Sequence, residues 1–230
     1  LHIDIFQKNQ HAGLREIYVL DIYSRIIQFF IEKISRIICN RFEMEAMTHP
    51  SNKTSIPEGH RQEARRTFNQ GRMTLCCSAD ASKWSQNHYS HKFAVMLYYF
   101  LPKYMHKFIS VILSLWRKKR IMINPILLEI FDSNHRMEFH EEVIQKLYDN
   151  YRGYKDDCRW VSLSQPYVET RSGMMQGILH YTSSLFHVIM CEYTKELCIK
   201  YYNKTLMSMV EKNEKFSDQT IKYLKRGPLI

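Results

Sequence analysis

The sequence lacks the cysteine patterns of zinc-binding and disulfide-stabilised proteins. Its 6 cysteines lie at positions 39, 76, 77, 158, 191 and 198, and no two of them form a Cys-x-x-Cys pair. Structural zinc sites and disulfide frameworks require cysteines at close or regular spacing. We therefore expect reduced, buried thiols in a cytosolic protein.

Long apolar runs, internal repeats and low-complexity segments are missing as well. No run approaches the roughly 18 apolar residues that a membrane span requires. With 45% apolar residues among 230, the chain can bury a core as one large domain or two small ones. Because the chain begins with Leu1 rather than Met, beside a candidate motif, we interpret it as a fragment, and missing targeting signals exclude nothing.

Acidic residues are scarce relative to basic ones. The sequence has 33 Lys and Arg residues against 23 Asp and Glu residues, which gives a net charge of +10 and a pI near 9.3. A basic surplus of this size favours a polyanionic partner such as nucleic acid, or less often an anionic membrane. A protein that has a basic surface and no such partner remains the alternative.

Residues 5–19 are typical of a basic hairpin. Lys8 and Arg15 flank a turn that contains Gly13, and residues 17–19 (IYV) predict a short strand. Two cations on a hairpin can reach a triphosphate and a base together, because the planar Arg guanidinium stacks on bases and forks onto phosphate. The alternative is an ordinary turn whose charges are solvated.

Asp80 is the candidate metal ligand. It follows an apolar run, residues 73–77, that predicts a short buried strand, and an amphipathic segment, residues 88–101, comes after it. A carboxylate at the end of such a strand is well placed to hold a divalent cation, because the strand fixes its backbone. Lys83 could steer an anionic group beside that cation. The alternative is a strand-to-helix junction in which Asp80 caps the helix and Trp84 packs in the core.

A glycine-rich loop, residues 173–177, precedes a segment with the periodicity of a long helix. Its glycines let the backbone move and approach a ligand closely. Gln176 offers a donor and an acceptor to a sugar or a base, and Thr182, Ser183 and Ser184 add hydroxyls one turn further on. The alternative is a helix N-terminus whose hydroxyls bond back to the i−4 carbonyls.

Periodicity and turn signals predict the remaining elements. Asp21 is the expected N-cap of a helix over residues 21–47, and Pro50 and Pro57 favour a loop over residues 48–59. Further helices are expected over residues 58–69, 88–101, 103–119 and 139–149, with irregular structure beyond residue 200.

Three polar clusters have two interpretations each. The cations at residues 117–120 predict either a stabilised helix C-terminus or a nucleic-acid contact. Arg61 and Arg65 share a helix face that either is solvated or touches a nucleic-acid backbone. His88 and His91 have the spacing of a metal pair, but no third ligand is evident, so we interpret them as surface or core histidines.

Three of these segments, taken in this order, resemble the polymerase core of segmented negative-strand RNA viruses, most of all the L proteins of phenuivirus-like bunyaviruses. Residues 7–19 (QKNQHAGLREIYV) are similar to the fingertip motif F, residues 80–84 (DASKW) to motif A, and residues 173–184 (GMMQGILHYTSS) to motif B. Their spacing also fits, so the resemblance covers most of the chain, residues 5–200.

The resemblance implies an RNA-directed RNA polymerase, that is, a nucleotidyltransferase, with a helix-rich α+β fold that forms part of a right hand. The implied domains are residues 1–72 for the fingers and fingertips with motif F, 73–101 for the palm with motif A, 102–170 for the fingers, 171–200 for the palm with motif B, and 201–230 for the palm connection.

The resemblance also implies which residues carry the chemistry. Asp80 would bind the catalytic Mg²⁺ ions, or Mn²⁺ in their place, which activate the attacking hydroxyl and bridge the phosphates. Lys8, Arg15, Lys83 and Trp84 would bind the nucleotide. Gln176 and Gly177 would form a mobile loop that checks template and ribose, and Ser183 and Ser184 would support this loop.

One element of the family is missing downstream of motif B, namely motif C, a Ser-Asp-Asp segment between apolar strands. The nearest string, residues 217–219 (SDQ), lacks the second Asp, and residues 156–157 (DD) precede motif B in a polar segment that we interpret as a solvated loop. We therefore expect that the chain is truncated before motif C and is inactive alone, because Asp80 leaves the metal pair half liganded.

The implied partners are the RNA template and product, nucleoside triphosphates, the remainder of the L protein and nucleoprotein-coated RNA, in the host cytoplasm and the virion. The alternative is a non-catalytic RNA-binding module, or a decayed and integrated polymerase copy, that uses the same basic surface without chemistry. A reverse transcriptase would need a Tyr-x-Asp-Asp element between apolar strands; residues 154–157 (YKDD) match this string, but they lie in the polar segment that precedes motif B.

Overall fold

A computed structural model describes residues 1–10, 13–68, 84–133, 135–175 and 177–211. Within these residues the chain forms seven helices and four strands, which agrees with the predicted helix-rich α+β class. No helix in the described part combines the length and apolarity needed to cross a bilayer. The elements are β1 (His2–Gln10), β2 (Gly13–Leu20), α1 (Ile22–Cys39), α2 (Asn52–Phe68), α3 (Ser90–Phe100), α4 (Lys103–Leu115), β3 (Lys119–Met122), α5 (Pro125–Phe131), α6 (Glu142–Tyr151), β4 (Tyr167–Thr170) and α7 (His180–Glu211).

The four strands form one sheet in the order β2-β1-β3-β4. β1 and β2 pair antiparallel, with the Cα of Lys8 opposite that of Arg15, so the predicted hairpin is confirmed. β3 pairs parallel to β1 and antiparallel to β4. The sheet therefore joins the N-terminal hairpin to strands that lie more than 100 residues further along the chain.

The main core lies between the sheet and the helices α1, α3, α4 and α7. Its fully buried members include Ile31 of α1, Phe93 and Leu97 of α3, Ile109 of α4 and Leu185 of α7. A second, smaller cluster of apolar residues surrounds α5 and α6 and includes Phe131 and Tyr148. The start of α7 belongs to the main core, where it faces α1.

Asp21 is the N-cap of α1, as predicted, because its carboxylate accepts a hydrogen bond of 2.6 Å from the backbone N–H of Ser24. The predicted end of this helix is wrong, since α1 stops at Cys39 rather than at residue 47. The carboxylate of Glu45 accepts the backbone N–H groups of Met47 and Thr48, and this local turn replaces further helical bonds.

The predicted loop over residues 48–59 is also wrong, because α2 begins at Asn52 and continues through Pro57. The side-chain amide of Asn52 donates to the carbonyl of Glu45 over 3.3 Å and so fixes the start of the helix. Pro57 lies near that start, where the loss of one backbone N–H affects a single helical hydrogen bond. Arg61 of the same helix pairs with Glu58 at 2.8 Å on a solvated face.

Pro102 separates α3 from α4 as predicted, and α6 occurs where a short helix is expected. The expectation of irregular structure beyond residue 200 is wrong for residues 201–211, because α7 extends to Glu211, and its remainder lies outside the described residues. Charged residues such as Lys195 and Glu196 are good helix formers, so an exposed helix can continue without an apolar face.

Lys119 departs most from its predicted environment. Instead of extending a charged helix end, it begins β3 and is only 1% exposed. Its ammonium group donates to the carbonyls of Trp116 at 2.6 Å, Gly173 at 2.8 Å and Ser172 at 3.1 Å. Neighbouring Arg120 forms an ion pair with Glu169 at 3.2 Å. One buried cation therefore ties the end of α4 to the glycine-rich loop.

Replacement of Lys119 by Met tests this buried cation. Burial lowers the pKa of Lys119 from 10.5 to about 8, so between these pH values the unfolded chain keeps a proton that the folded protein has released. The free energy of unfolding of the wild type should therefore rise with pH in this window, by at most ~1.4 kcal/mol per pH unit. Lys119→Met should lack this rise in urea melts.

The matched control is Lys103→Met, which removes an exposed lysine of the adjacent helix α4. The control should follow the wild-type pH dependence above pH 8. If Lys119→Met and the wild type differ by a constant amount across this window, the buried-cation interpretation is wrong.

Candidate functional site around the start of α7

Residues 84–86 pack against the glycine-rich loop and the first turn of α7. The indole Nε1–H of Trp84 donates to Ser183 Oγ over 2.6 Å, across 99 positions of sequence. One residue further on, the carbonyl of Ser85 accepts the N–H of Met174 at 2.7 Å. The structure thus brings together Trp84 and Ser183, which the resemblance assigned to motifs A and B.

Two glycines of the loop have backbone conformations that require glycine. Gly173 has φ +70° and Gly177 has φ +83°. A Cβ on Gly173 would also lie 2.9 Å from the carbonyl oxygen of Gln86. Gly173 therefore approaches the backbone of Gln86 closely, while the approach of these glycines to a ligand stays a prediction. The side chains of Met174 and Met175 are buried and anchor the middle of the loop.

Glu32 of α1 caps the start of α7 from another helix. Its carboxylate accepts the backbone N–H of Tyr181 at 2.9 Å, the N–H of Thr182 at 3.1 Å and the Thr182 hydroxyl at 2.8 Å. The first N–H groups of a helix have no intrahelical acceptor, and a carboxylate also suits the positive end of the helix dipole. Two turns further along α1, Cys39 Sγ donates to the carbonyl of Tyr181 over 3.5 Å.

Two further residues of α1 extend this contact. Ser35 Oγ lies 2.9 Å from Thr182 Oγ1 in a fully buried pair, and the side-chain amide of Gln28 donates to the carbonyl of Ile178. Positions 28, 32, 35 and 39 follow the spacing of one helix face. We refer to these four residues as the polar stripe of α1, which holds the start of α7 in a fixed register.

Glu45 provides a second acidic anchor, at 1% exposure. Its carboxylate accepts the N–H groups of Met47 at 2.9 Å and Thr48 at 2.6 Å, and the hydroxyls of Thr48 and Ser184. Burial alone raises the pKa of Glu45, but these hydrogen bonds outweigh burial and bring the pKa below its usual value. Glu45 is therefore a buried carboxylate anion at neutral pH.

The three hydroxyls at the start of α7 each contact another element. Thr182 bonds to Glu32, Ser183 to Trp84, and Ser184 to Glu45. The alternative in which these hydroxyls bond back to helix carbonyls is therefore wrong. The start of α7 is built as a junction of three segments, with a polar contact to each.

His88 lies behind Trp84, with ring centroids 4.5 Å apart, and stacks on Phe93. It is 4% exposed, neither ring nitrogen has a hydrogen-bond partner among the described residues, and burial with the nearby Lys92 charge lowers its pKa. His91 is exposed. The interpretation of these two residues as core and surface histidines is confirmed.

The other predicted site residues are placed as follows. Lys8 is exposed on β1, opposite Arg15 in the strand register, and Trp84 is 36% exposed rather than packed in the core. The predictions on Asp80, Lys83 and Gln176 lie outside the described residues. The described residues include no group of three or more His, Cys, Asp or Glu side chains arranged to hold a metal ion.

The sequence interpretation did not single out Glu32, Ser35, Glu45 and Lys119. A signal for the first two was present, because polar residues recur at positions 28, 32, 35 and 39 on one face of a helix that is otherwise strongly apolar. Glu45 and Lys119 stand in charged, turn-rich surroundings, and their burial depends on contacts with residues more than 50 positions away.

Comparisons with known proteins show the family to which the chain belongs. The sequence model of the family described as Bunyavirus RNA dependent RNA polymerase matches residues 1–221. The chain is 44% identical over 218 residues to the RNA-directed RNA polymerase L of Rice stripe virus (isolate T), which covers 94% of this chain and 7% of that protein. It is 45% identical over 196 residues to the protein of the same name from Uukuniemi virus (strain S23), with 85% of this chain and 9% of that protein covered.

A third relative is the RNA-directed RNA polymerase L of Rift valley fever virus (strain ZH-548 M12), 40% identical over 203 residues, with 88% of this chain and 9% of that protein covered. The chain therefore belongs to the bunyavirus RNA-dependent RNA polymerase family, and the resemblance drawn from its motifs is confirmed. It spans 7–9% of the length of these three relatives.

A double-mutant cycle on Trp84 and Ser183 tests the contact between the two motifs. Trp84→Phe removes the indole N–H, and Ser183→Ala removes its acceptor. We expect the two changes to couple by about 1 kcal/mol in the free energy of unfolding, as a neutral hydrogen bond does. Trp84→Phe combined with Thr194→Ala, which removes a hydroxyl bonded within α7, should be additive. Equal coupling in both cycles would contradict a specific contact.

Replacement of Glu45 by Gln tests the acidic anchor. Gln cannot accept at its amide nitrogen, so we expect a loss of ~1–3 kcal/mol in the free energy of unfolding at pH 7. Because the folded pKa lies below the usual 4.5, this difference should persist above pH 4.5 and shrink as the pH falls below that value. Glu196→Gln, the same change on an exposed part of α7, should have little effect at either pH. A pH-independent loss would contradict an ionised anchor.

Proposed function

We propose that this chain is part of a viral RNA-directed RNA polymerase, an L protein, that joins ribonucleotides on an RNA template during replication and transcription of a negative-strand genome. The observation that carries the proposal is the Trp84–Ser183 hydrogen bond, which joins the segment after Asp80 to the start of α7. This contact occurs in a chain that belongs to a polymerase family. The alternative, a non-catalytic RNA-binding module or decayed copy, is not favoured.

Asp80 is the proposed ligand of the catalytic divalent cations, Mg²⁺ or Mn²⁺. When bound, such ions activate the attacking hydroxyl of the growing strand and stabilise charge on the phosphates. Asp80 lies four positions before Trp84, whose hydrogen bond to Ser183 fixes the end of this segment. A rigid support of this kind is what a metal ligand needs in order to be pre-organised.

The nucleotide is proposed to lie between the hairpin and the glycine-rich loop. Lys8 and Arg15 occupy facing positions of β1 and β2, and Lys8 is exposed, so the hairpin can direct two cations towards a triphosphate. Lys83 and Trp84 extend the same site from the motif A side. Gln176, Gly177, Ser183 and Ser184 complete it, with the loop checking template and ribose and the hydroxyls in support.

The proposal extends to the organisation and partners of the whole protein. Residues 1–72 and 102–170 are assigned to the fingers, and residues 73–101 and 171–230 to the palm and its connection. The proposed partners are template and product RNA, nucleoside triphosphates, the remainder of the L protein and nucleoprotein-coated RNA. The proposed location is the host cytoplasm and the virion.

Replacement of Asp80 by Ala in a complete L protein that contains this chain tests the proposal. Loss of several kcal/mol of charge stabilisation should reduce nucleotide incorporation by at least about 1,000-fold. RNA binding should remain within about twofold, since phosphate contacts by Lys and Arg supply most of the affinity. Asp156→Ala, which removes an exposed carboxylate from a loop, is the control and should leave incorporation unchanged. Undiminished incorporation by Asp80→Ala would refute the assignment.

A further inference from the structure

A cavity of about 460 Å³ opens beside the glycine-rich loop. It is lined by residues 89–91 at the start of α3, residues 116–117 after the end of α4, and residues 171–173 before the buried part of the loop. Its size lies within the range of about 300–1,000 Å³ that is typical of small-molecule sites. The proposed function assigns no role to Tyr89, Trp116, Arg117 or Arg171.

The lining of this cavity is cationic. Arg117 and Arg171 both line it, both are exposed, and neither forms an ion pair within the described part of the chain. His91 adds an imidazole, and none of the lining residues is acidic. By contrast, Arg120 and Arg152 nearby in sequence each pair with a carboxylate. Arginine side chains that form bidentate hydrogen bonds to an anion are typical of phosphate-binding sites.

The backbone of α3 contributes to the same lining. α3 has 11 residues, and its N-cap, Tyr89, makes no side-chain hydrogen bond to the first turn. The N–H of Lys92 donates to the carbonyl of Tyr89 over 3.1 Å, whereas no side-chain cap covers the N–H groups of Ser90 and His91. Ser90 and His91, which belong to this turn, line the cavity. An uncapped helix N-terminus favours an anion through these N–H groups and the helix dipole.

Trp116 forms a buried part of the cavity wall. Its side chain is 2% exposed and lines the cavity, yet its indole N–H has no hydrogen-bond partner among the described residues. A buried indole N–H normally has an acceptor, because leaving it without one costs free energy. The indole nitrogen has almost no accessible surface, so it lies behind the cavity wall and does not face a ligand in the cavity.

We propose that this cavity binds a phosphate of an RNA strand, held by Arg117, Arg171 and the N–H groups at the start of α3. A free nucleoside triphosphate fits less well, because its bound magnesium calls for carboxylates and the lining has none. The bound phosphate would lie against Ser172 and Gly173, whose carbonyls Lys119 holds from the protein side. The inference rests on the proposed function only in naming the anion as RNA.

The test measures binding of a fluorescently labelled single-stranded RNA oligonucleotide to the 230-residue chain by anisotropy over a range of salt concentrations. Arg117→Gln and Arg171→Gln should each weaken binding about five- to tenfold at low salt and reduce the slope of log K against log salt by about 0.7, one phosphate contact. The double variant should lose about 1.4 of the slope, twice the single-contact value.

Lys103→Gln is the matched control, because Lys103 is an exposed cation at the opposite end of α4. It lies about 20 Å from Arg117 at the helical rise per residue. Affinity and salt slope should stay within about twofold and 0.2 of the wild type for this variant, far less than one phosphate contact. If the two arginine variants behave like Lys103→Gln, the cavity is not a phosphate site.

Two further arms identify the ligand. Oligonucleotides with neutral methylphosphonate linkages should bind wild type and double variant equally, because their backbone has no charge to lose. Mg²⁺–ATP at millimolar concentration should not displace the RNA, and displacement would overturn the assignment to a strand.

The outcome can be separated from that of the proposed function. In a complete L protein containing this chain, the Arg117→Gln and Arg171→Gln changes are introduced into an Asp80→Ala background, in which incorporation is expected to be lost. Weaker RNA binding in this background supports the cavity whatever the fate of the metal assignment. If the arginine changes leave RNA binding unchanged, only the proposal of a phosphate site in the cavity is wrong. If Asp80→Ala retains nucleotide incorporation, only the proposed function is wrong.

Discussion

Buried hydrogen bonds between α1 and the start of α7 are the constraint on which the site depends. A helix that begins inside a core has N–H groups that water cannot satisfy, and each unsatisfied group costs free energy. Glu32 accepts two of these N–H groups and one hydroxyl, and Ser35 pairs with that hydroxyl at 2.9 Å. Since a slip of one residue would break all of these bonds, the register between the two helices is fixed.

Contacts near the same junction fix the position of the glycine-rich loop. Lys119 holds the carbonyls of Ser172 and Gly173 on one side, and Ser85 accepts the N–H of Met174 on the other. These contacts fix the beginning of the loop, and the hydrogen bond from the side-chain amide of Gln28 to the carbonyl of Ile178 fixes its end, with Gly177 in between. Anchoring at both ends suits a loop proposed to check template and ribose.

The sequence predicts the elements that depend on local chemistry. The basic hairpin, the Asp21 cap and the break at Pro102 follow from turn, capping and proline rules, and the structure has all three. The errors occur where distant contacts decide the outcome. Asn52 fixes the start of α2 ahead of Pro57 through carbonyls of the preceding turn, and Lys119 is buried because three carbonyls accept its protons.

The candidate site was predictable to a similar degree. The motif residues Trp84 and Ser183 are in contact, as expected of two residues in one site. The sequence could predict this contact because a motif of several specific residues indicates a shared site, whereas hydrophobic periodicity indicates only local structure. The supporting residues Glu32 and Glu45 were missed, since an acidic side chain on a helix or in a turn is usually solvated. A supporting carboxylate of this kind differs from a solvated one only in that it accepts hydrogen bonds from a distant segment.

Cys39, at the end of the polar stripe of α1, is a chemical probe of the contact between α1 and α7. Its thiol is buried against Tyr181, and burial raises its pKa to about 12, so almost no thiolate exists at neutral pH. Alkylating reagents need the thiolate and physical access, and both arise only when α1 and α7 separate. The rate at which Cys39 is alkylated would therefore report how often the two helices part, while Cys191 and Cys198, exposed on α7, react without any opening.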